Sequence, residues 1–170
     1  MAVKKDPRRQ LQGRISREKG KRFEERIDAS FEYYELTGFA SIEKTPEPMK
    51  VLRSLGQGRF VACFQKKAQA DYSGTIKGGR TVIFEAKFTA TDRLEQSRVE
   101  DNQAKYLRKR AALGARCYVL AGYVSGEVYC VPWAVWDAMK EHFGRRYVTE
   151  ADLEKYRVQQ SWNGVLLILN

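Results

Sequence analysis

The sequence predicts a single α/β domain in which helices flank a central mixed β-sheet. Helix and strand signals follow one another in the order helix, strands, helix, strand, strand, helix. At 170 residues, the chain is long enough for one well-buried core and short for two. We therefore expect a basic disordered arm over residues 1–15 and one folded domain over residues 16–170.

The first part of the chain predicts a long helix, a short strand and a projecting excursion. Ser16 can cap a helix that runs to about Leu36, and a strand candidate follows at residues 40–44. Residues 49–59 mix apolar and basic side chains with two glycines, which indicates a projecting hairpin that continues into a strand at residues 60–64. The apolar stripe of the helix is Phe23, Ile27, Phe31 and Tyr34.

A β-hairpin is the strongest local signal in the middle of the chain. Gly78 and Gly79 lie between two strand-like runs, and a two-residue turn there places Asp71 opposite Ala86 and diagonal to Glu85. Because side chains alternate along a strand, one face of the second strand is apolar and the other carries charge. The apolar face holds Val82, Phe84 and Ala86; the other holds Ile83, Glu85 and Lys87.

The second half of the chain predicts shorter elements. We expect a polar, mobile loop at residues 88–101 and a helix from about Glu100 to Leu113, ended by Gly114. A second hairpin is expected around Ser125 and Gly126. The last predicted elements are a helix that begins after Pro132 and carries Trp133, Trp136 and Met139, a short helix capped by Thr149 and Asp152, and a strand at Val165–Leu169.

The positive charge of the chain is concentrated at its amino terminus. The formal net charge is +10, and residues 1–22 hold nine Lys/Arg against Asp6 and Glu18, which is 9 − 2 = +7 of that total. A basic arm on a nearly balanced body favours a nucleic-acid partner, although a solvated tail that aids solubility has the same composition. The candidate nucleic-acid contacts are Arg14, Arg17, Lys21, Lys50, Arg53, Arg59, Lys66 and Lys67.

Composition also excludes several classes of protein. The three cysteines lie in apolar stretches, which favours buried, reduced thiols in a cytoplasmic protein. The charged amino terminus lacks the apolar segment of a secretory signal, and no apolar run approaches the length that spans a bilayer. The single histidine, His142, excludes a histidine-rich metal site.

Asp71, Glu85 and Lys87 carry the chemistry that the sequence predicts. An apolar run normally excludes charge, yet Glu85 and Lys87 lie two apart within one and therefore face the same side. Two carboxylates suit Mg²⁺ or Mn²⁺, and a neighbouring lysine can hold a water molecule or neutralise charge on a phosphate in the transition state. Glu24 and Gln103 are candidates to complete the site. The alternatives are a buried Glu–Lys pair that only stabilises a strand and, for Glu24, an ordinary surface salt bridge.

Residues from about Gly20 to Trp136 resemble the RecU family of Holliday junction resolvases, within the PD-(D/E)xK nuclease superfamily. The resemblance rests on several segments in the family's order. These are Gly20 to Glu24, Tyr33–Tyr34, Lys44 to Pro48, Phe64–Gln65, Asp71 to Gly74, Phe84 to Lys87 and Asn102–Gln103.

The resemblance implies a restriction-endonuclease-like fold and a homodimeric, Mg²⁺-dependent endonuclease that introduces paired nicks in four-way DNA junctions. It also implies that Asp71, Glu85 and Gln103 are metal ligands and that Lys87 stabilises the transition state. Residues 49–59 match the family's stalk, which projects into the centre of the junction.

The sequence departs from the family pattern in three places. Gln69 stands where the family has a threonine two residues before the aspartate, Asn102 replaces a histidine, and the stalk is shorter and richer in glycine. A divergent or phage-encoded member fits these changes. Two other functions remain open: a metal-dependent nuclease on linear duplex DNA, and a non-catalytic DNA-binding protein.

Overall fold

The computed structural model describes residues 7–46, 49–64 and 69–169. Its helices are α1 (Pro7–Leu36), α2 (Asp101–Ala112), α3 (Trp133–Asp137), α4 (Met139–Phe143) and α5 (Glu150–Leu153). Its strands are β1 (Ala40–Lys44), β2 (Met49–Gly56), β3 (Arg59–Phe64), β4 (Tyr72–Ile76), β5 (Arg80–Phe88), β6 (Leu94–Glu95), β7 (Arg116–Gly122), β8 (Val128–Pro132) and β9 (Tyr147–Val148). Within these ranges, no helix combines the length and the apolar character needed to cross a membrane.

The central sheet is mixed, which confirms the predicted fold class. Its five strands lie in the order β1-β4-β5-β7-β8; β5 and β7 are parallel and the other neighbours are antiparallel. The alternation predicted for β5 divides the core into two layers. Phe84 packs with the buried stripe of α1 on one face, and Ile83 packs with Leu107 of α2 and Trp136 of α3 on the other.

Helix α1 begins earlier than the sequence predicted. Its stripe of Phe23, Ile27, Phe31 and Tyr34 is buried, as expected. The helix starts at Pro7 rather than Ser16, so the expectation of a disordered arm is wrong for residues 7–15. Proline is well tolerated in a first turn, where its missing N–H has no helical partner to lose. Residues 1–6 lie outside the described part of the chain.

The hairpin between β4 and β5 has a longer turn than predicted. Ile76 pairs with Arg80 and Tyr72 with Phe84, so three residues, not two, form the connection. Gly78 and Gly79 both have positive φ, which only glycine adopts without strain, and the Gly79 N–H donates to the Ile76 carbonyl. The shift of one residue brings Asp71 level with Glu85 instead of Ala86.

Two other predictions for the second half of the chain are wrong. Residues 88–101 contain β6, which pairs with β9, and a 3₁₀ turn with buried Leu94 and Val99 on either side, so they are not an irregular loop. Residues 165–169 form turns with a single bridge from Leu166 to Gln160 rather than a strand.

The helix predicted after Pro132 is divided at Ala138 into α3 and α4. The predicted bounds of α2 are confirmed to within one residue at each end. The predicted capping of α5 by Thr149 and Asp152 is also confirmed.

Strands β2 and β3 form a separate two-stranded hairpin, which confirms the predicted excursion. Its exposed apolar side chains are Met49, Val51, Leu52, Leu55, Phe60 and Val61. Cys63 is exposed on this hairpin, so the expectation of a buried thiol is wrong there, while Cys117 is buried and all three cysteines are free. Burial raises the pKa of Cys117 to about 11 and that of Cys130 to about 12.

Gly74 is required where β1 approaches β4, and we expect Gly74→Ala to destabilise the protein. A Cβ there would collide with the Ser41 carbonyl oxygen and lie 2.6 Å from the Ile42 Cα, both of which are backbone atoms. Overpacking of this kind costs about 2–3 kcal/mol, so thermal unfolding should show a melting temperature lower by roughly 4–10 °C.

Gly13 of α1 is the matched control, since a Cβ there meets nothing within 4 Å. Gly13→Ala should raise stability by up to about 1 kcal/mol. Equal melting temperatures for the two variants would contradict the close approach of β1 and β4.

Candidate active site

Asp71, Glu85, Lys87 and Gln103 meet at the carboxyl end of β5. Strand β5 directs Glu85 and Lys87 to the face that carries α2, and the first turn of α2 brings Gln103 to them. Lys87 Nζ and Gln103 Nε2 each lie 2.5 Å from Glu85 Oε1. Asp71 Oδ2 accepts a 2.8 Å hydrogen bond from the Ala86 N–H, which fixes its carboxylate beside the strand.

Glu85 is a fully buried acid with an incomplete set of partners. Its side chain is 0% exposed, and that of Lys87 is 15% exposed. Oε1 receives both donors, whereas Oε2 has no hydrogen-bond partner. Burial and, second, the nearby Asp71 carboxylate raise the pKa of Glu85 to about 8 against the opposing effect of Lys87. The site is therefore short of positive charge.

A helix cap determines which end of the Gln103 amide faces Glu85. Glu100 and Gln103 form a capping box, in which the Glu100 N–H donates to Gln103 Oε1 at 3.0 Å. The amide nitrogen is then left to donate to Glu85. The sequence predicted Gln103 as a metal ligand, but its oxygen is engaged by the cap, so Gln103 orients Glu85 in this arrangement.

Glu24 lies near this group but contacts a different residue. Its half-exposed carboxylate lies 2.7 Å from Lys44 Nζ. Among the described residues, it makes no hydrogen bond or ion pair with Asp71, Glu85 or Lys87. The surface salt bridge that the sequence left open for Glu24 is therefore present.

Lys44 is the residue that sequence reasoning missed. The Thr45 N–H donates to the Asp71 carbonyl at 2.8 Å, which holds the end of β1 beside Asp71. The hydrogen bond to Glu24 raises the pKa of Lys44, and the Asp71 charge contributes to the same shift. The signal was available, because Lys44 occupies the same side of β1 as buried Ala40 and Ile42.

The described residues among the predicted nucleic-acid contacts lie on two elements, α1 and the β2–β3 hairpin. Arg14, Arg17 and Lys21 are exposed on the amino-terminal half of α1, and Lys21 lies 3.5 Å from Glu25. Those on the hairpin, also exposed, are Lys50, Arg53 and Arg59. Lys66 and Lys67 lie outside the described residues.

The residues present fit a divalent cation, although no described group of three His, Cys, Asp or Glu side chains is arranged to hold one. Mg²⁺ is commonly bound by only one or two carboxylates, with water and substrate phosphate as the other ligands. Asp71 and Glu85 supply two hard carboxylates, and Glu85 Oε2 is buried without a partner. A cation there would also offset the two effects that raise the pKa of Glu85, its burial and its repulsion by Asp71.

The comparisons of this sequence with known proteins agree with one another. The family model for RecU, Recombination protein U, matches residues 18–169. The Holliday junction resolvase RecU of Streptococcus pneumoniae (strain Hungary19A-6) is 31% identical over 121 residues, which cover 67% of this chain and 61% of that protein. The corresponding resolvase of Geobacillus sp. (strain WCH70) is 26% identical over 149 residues, covering 81% of this chain and 73% of that protein.

The aligned part of the chain thus spans 61% of the length of the streptococcal relative. Among solved structures, Hjc of Archaeoglobus fulgidus, a Holliday junction resolvase, gives a TM-score of 0.44 at 14% identity, over 81% of this chain and 88% of that one.

Proposed function

Because the chain belongs to the RecU family, we propose that it is an endonuclease that resolves four-way DNA junctions with a divalent metal ion. The observation that carries the proposal is the buried Glu85, whose Oε2 has no partner, beside Asp71 and Lys87. A strand that needed only a structural ion pair would not place a second carboxylate next to the first.

Each residue has a role in this proposal. Asp71 and Glu85 would hold Mg²⁺, or the similar Mn²⁺, which would supply Lewis-acid polarisation of the scissile phosphate and acidify a nearby water. Lys87, mostly buried and 2.5 Å from Glu85, holds the attacking water or neutralises charge that develops on the phosphate. Gln103 and the Ala86 N–H orient Glu85 and Asp71. The Thr45 N–H supports Asp71 from the end of β1, where Lys44 pairs with Glu24 of α1.

Substrate and assembly follow from the same proposal. A four-way junction has two equivalent strands to nick, so a homodimer with one site per protomer matches its symmetry. The basic and apolar β2–β3 hairpin is suited to the branch point, where phosphates crowd and base pairs are open. Such a reaction belongs in the cytoplasm, with the chromosome.

The test compares a mobile four-way junction with a linear duplex of the same sequence, each with Mg²⁺ and with EDTA. We expect paired, symmetric nicks in the junction with Mg²⁺ only, because the carboxylate pair needs the cation. Equal cleavage of both substrates would replace the proposal by a nuclease of linear duplex DNA. Junction binding without cleavage of either substrate would indicate a non-catalytic binding protein.

A further inference from the structure

Trp162 is the most exposed of the large apolar side chains that the structure describes. It is 98% exposed, whereas Trp133 and Trp136 are 5% and 1% exposed. A fully hydrated indole forgoes the largest apolar burial that any side chain offers, and tryptophan is enriched where proteins bind their partners.

The segment around Trp162 is held firmly. The Gly164 N–H donates to the Ser161 carbonyl and the Ser161 N–H to the Val165 carbonyl, each at 2.9 Å. The Ser161 hydroxyl accepts from the Val165 N–H at 3.1 Å. One residue further on, the Leu166 N–H donates to the buried Ser30 hydroxyl of α1 at 2.9 Å. The backbone that carries the indole is therefore held in place, which lowers the entropic cost of binding a partner.

The surroundings of the turn are basic. Residues 163–165 and α1 form a groove lined on the helix side by Arg22, Glu25, Arg26 and Ala29. Among the residues that the structure describes, no carboxylate pairs with Arg22, and Arg26 donates only to the Gly126 carbonyl, at 2.8 Å. Glu25 is paired with Lys21. The groove thus offers two guanidinium groups beside a hydrated aromatic ring.

The helix that lines the groove also packs against β5, the strand that carries Glu85 and Lys87. Phe23, next to Arg22 in α1, has its ring 6.1 Å from that of Phe88, and Phe88 directly follows Lys87 in β5.

We propose that Trp162, with Arg22 and Arg26, binds unpaired nucleotides of DNA, the indole stacking on a base and the guanidinium groups contacting phosphates. The inference rests on the proposed function for its choice of DNA as the partner. Base stacking on aromatic side chains combined with a basic groove is the general mode of single-strand binding. The two arginines favour a polyanion over a second copy of this basic chain.

The experiment uses the full chain and a dT oligonucleotide of about 12 nucleotides, which is within the usual site size. Because the other two tryptophans are buried, the acrylamide-quenchable fluorescence belongs to Trp162. We expect the oligonucleotide to protect this fluorescence from quenching. Trp162→Ala should weaken oligonucleotide binding about 5- to 100-fold, and Trp162→Phe should restore most of the affinity. Arg22→Ala should weaken binding and reduce its salt dependence.

Leu113→Ala is the control, since Leu113 is also strongly exposed but lies after α2 and does not line the groove. Unchanged quenching and equal affinity of Trp162→Ala would overturn the inference, even if the wild type cleaves junctions as proposed. A shift from dimer to monomer in Trp162→Ala, with oligonucleotide affinity retained, would overturn it in favour of a protein interface. Oligonucleotide binding through Trp162 without any junction cleavage would support the inference and count against the resolvase function.

Discussion

Replacing Asp71 by asparagine is expected to lower junction cleavage by about 10³-fold or more while junction binding stays within about twofold. Asparagine can still accept the hydrogen bond from the Ala86 N–H, so the backbone between β4 and β5 should keep its arrangement. What is lost is one of the two negative charges proposed to hold the metal ion. Cleavage is measured under single-turnover conditions with Mg²⁺, and binding by gel shift in EDTA.

Asp92→Asn provides the control for this variant, because Asp92 is exposed and its only described ion pair is a 3.8 Å contact with Arg93. It should cleave junctions like the wild type. Cleavage by Asp71→Asn at the wild-type rate would remove Asp71 from the site.

Replacing Glu85 by glutamine is expected to abolish cleavage and yet stabilise the metal-free protein. Glutamine keeps the size of the side chain but removes a buried charge that faces Asp71. The free energy of unfolding should rise by about 1–3 kcal/mol at pH 8 or above, which corresponds to roughly 2–4 °C in melting temperature per kcal/mol. Differential scanning calorimetry in EDTA measures this gain.

The direction in which this gain in stability changes with pH follows from the raised pKa of Glu85. Between about pH 4.5 and about pH 8, the folded protein holds a proton on Glu85 that the unfolded chain has released. The wild type should therefore lose stability relative to Glu85→Gln as the pH rises through this window, and the two should be similar below it. Added Mg²⁺ should raise the melting temperature of the wild type and not that of the variant. A variant less stable than the wild type at pH 8 in EDTA would contradict the net destabilisation of the Glu85 carboxylate by burial and by Asp71.

The sequence was sufficient for the parts of the site that depend on alternation and periodicity. The placement of Glu85 and Lys87 on one face of β5, and of Gln103 in the first turn of α2, follows from local spacing and is what the structure has. The register of Asp71 was wrong by one residue because a glycine pair is compatible with turns of two or three residues. Only the pairing of Ile76 with Arg80 distinguishes them.

Other features depend on contacts between distant segments, which local patterns do not report. The pairing of β6 with β9 gives order to residues that look like a polar loop. The orientation of the Gln103 amide depends on the Glu100 cap, which the sequence analysis does not predict. The ion pair between Glu24 and Lys44 joins a helix to a strand, and the exposure of Trp162 depends on the fixed turn beside α1.

Because the three cysteines differ in burial, the β2–β3 hairpin can be labelled selectively in the native sequence. Thiolates react with maleimides, and the raised pKa values of Cys117 and Cys130 keep both protonated at neutral pH. Cys63 is the exposed one, and it lies on β3 opposite Lys50. A fluorophore attached without any mutagenesis would therefore report the position of the hairpin on DNA, molecule by molecule, in an otherwise unaltered protein.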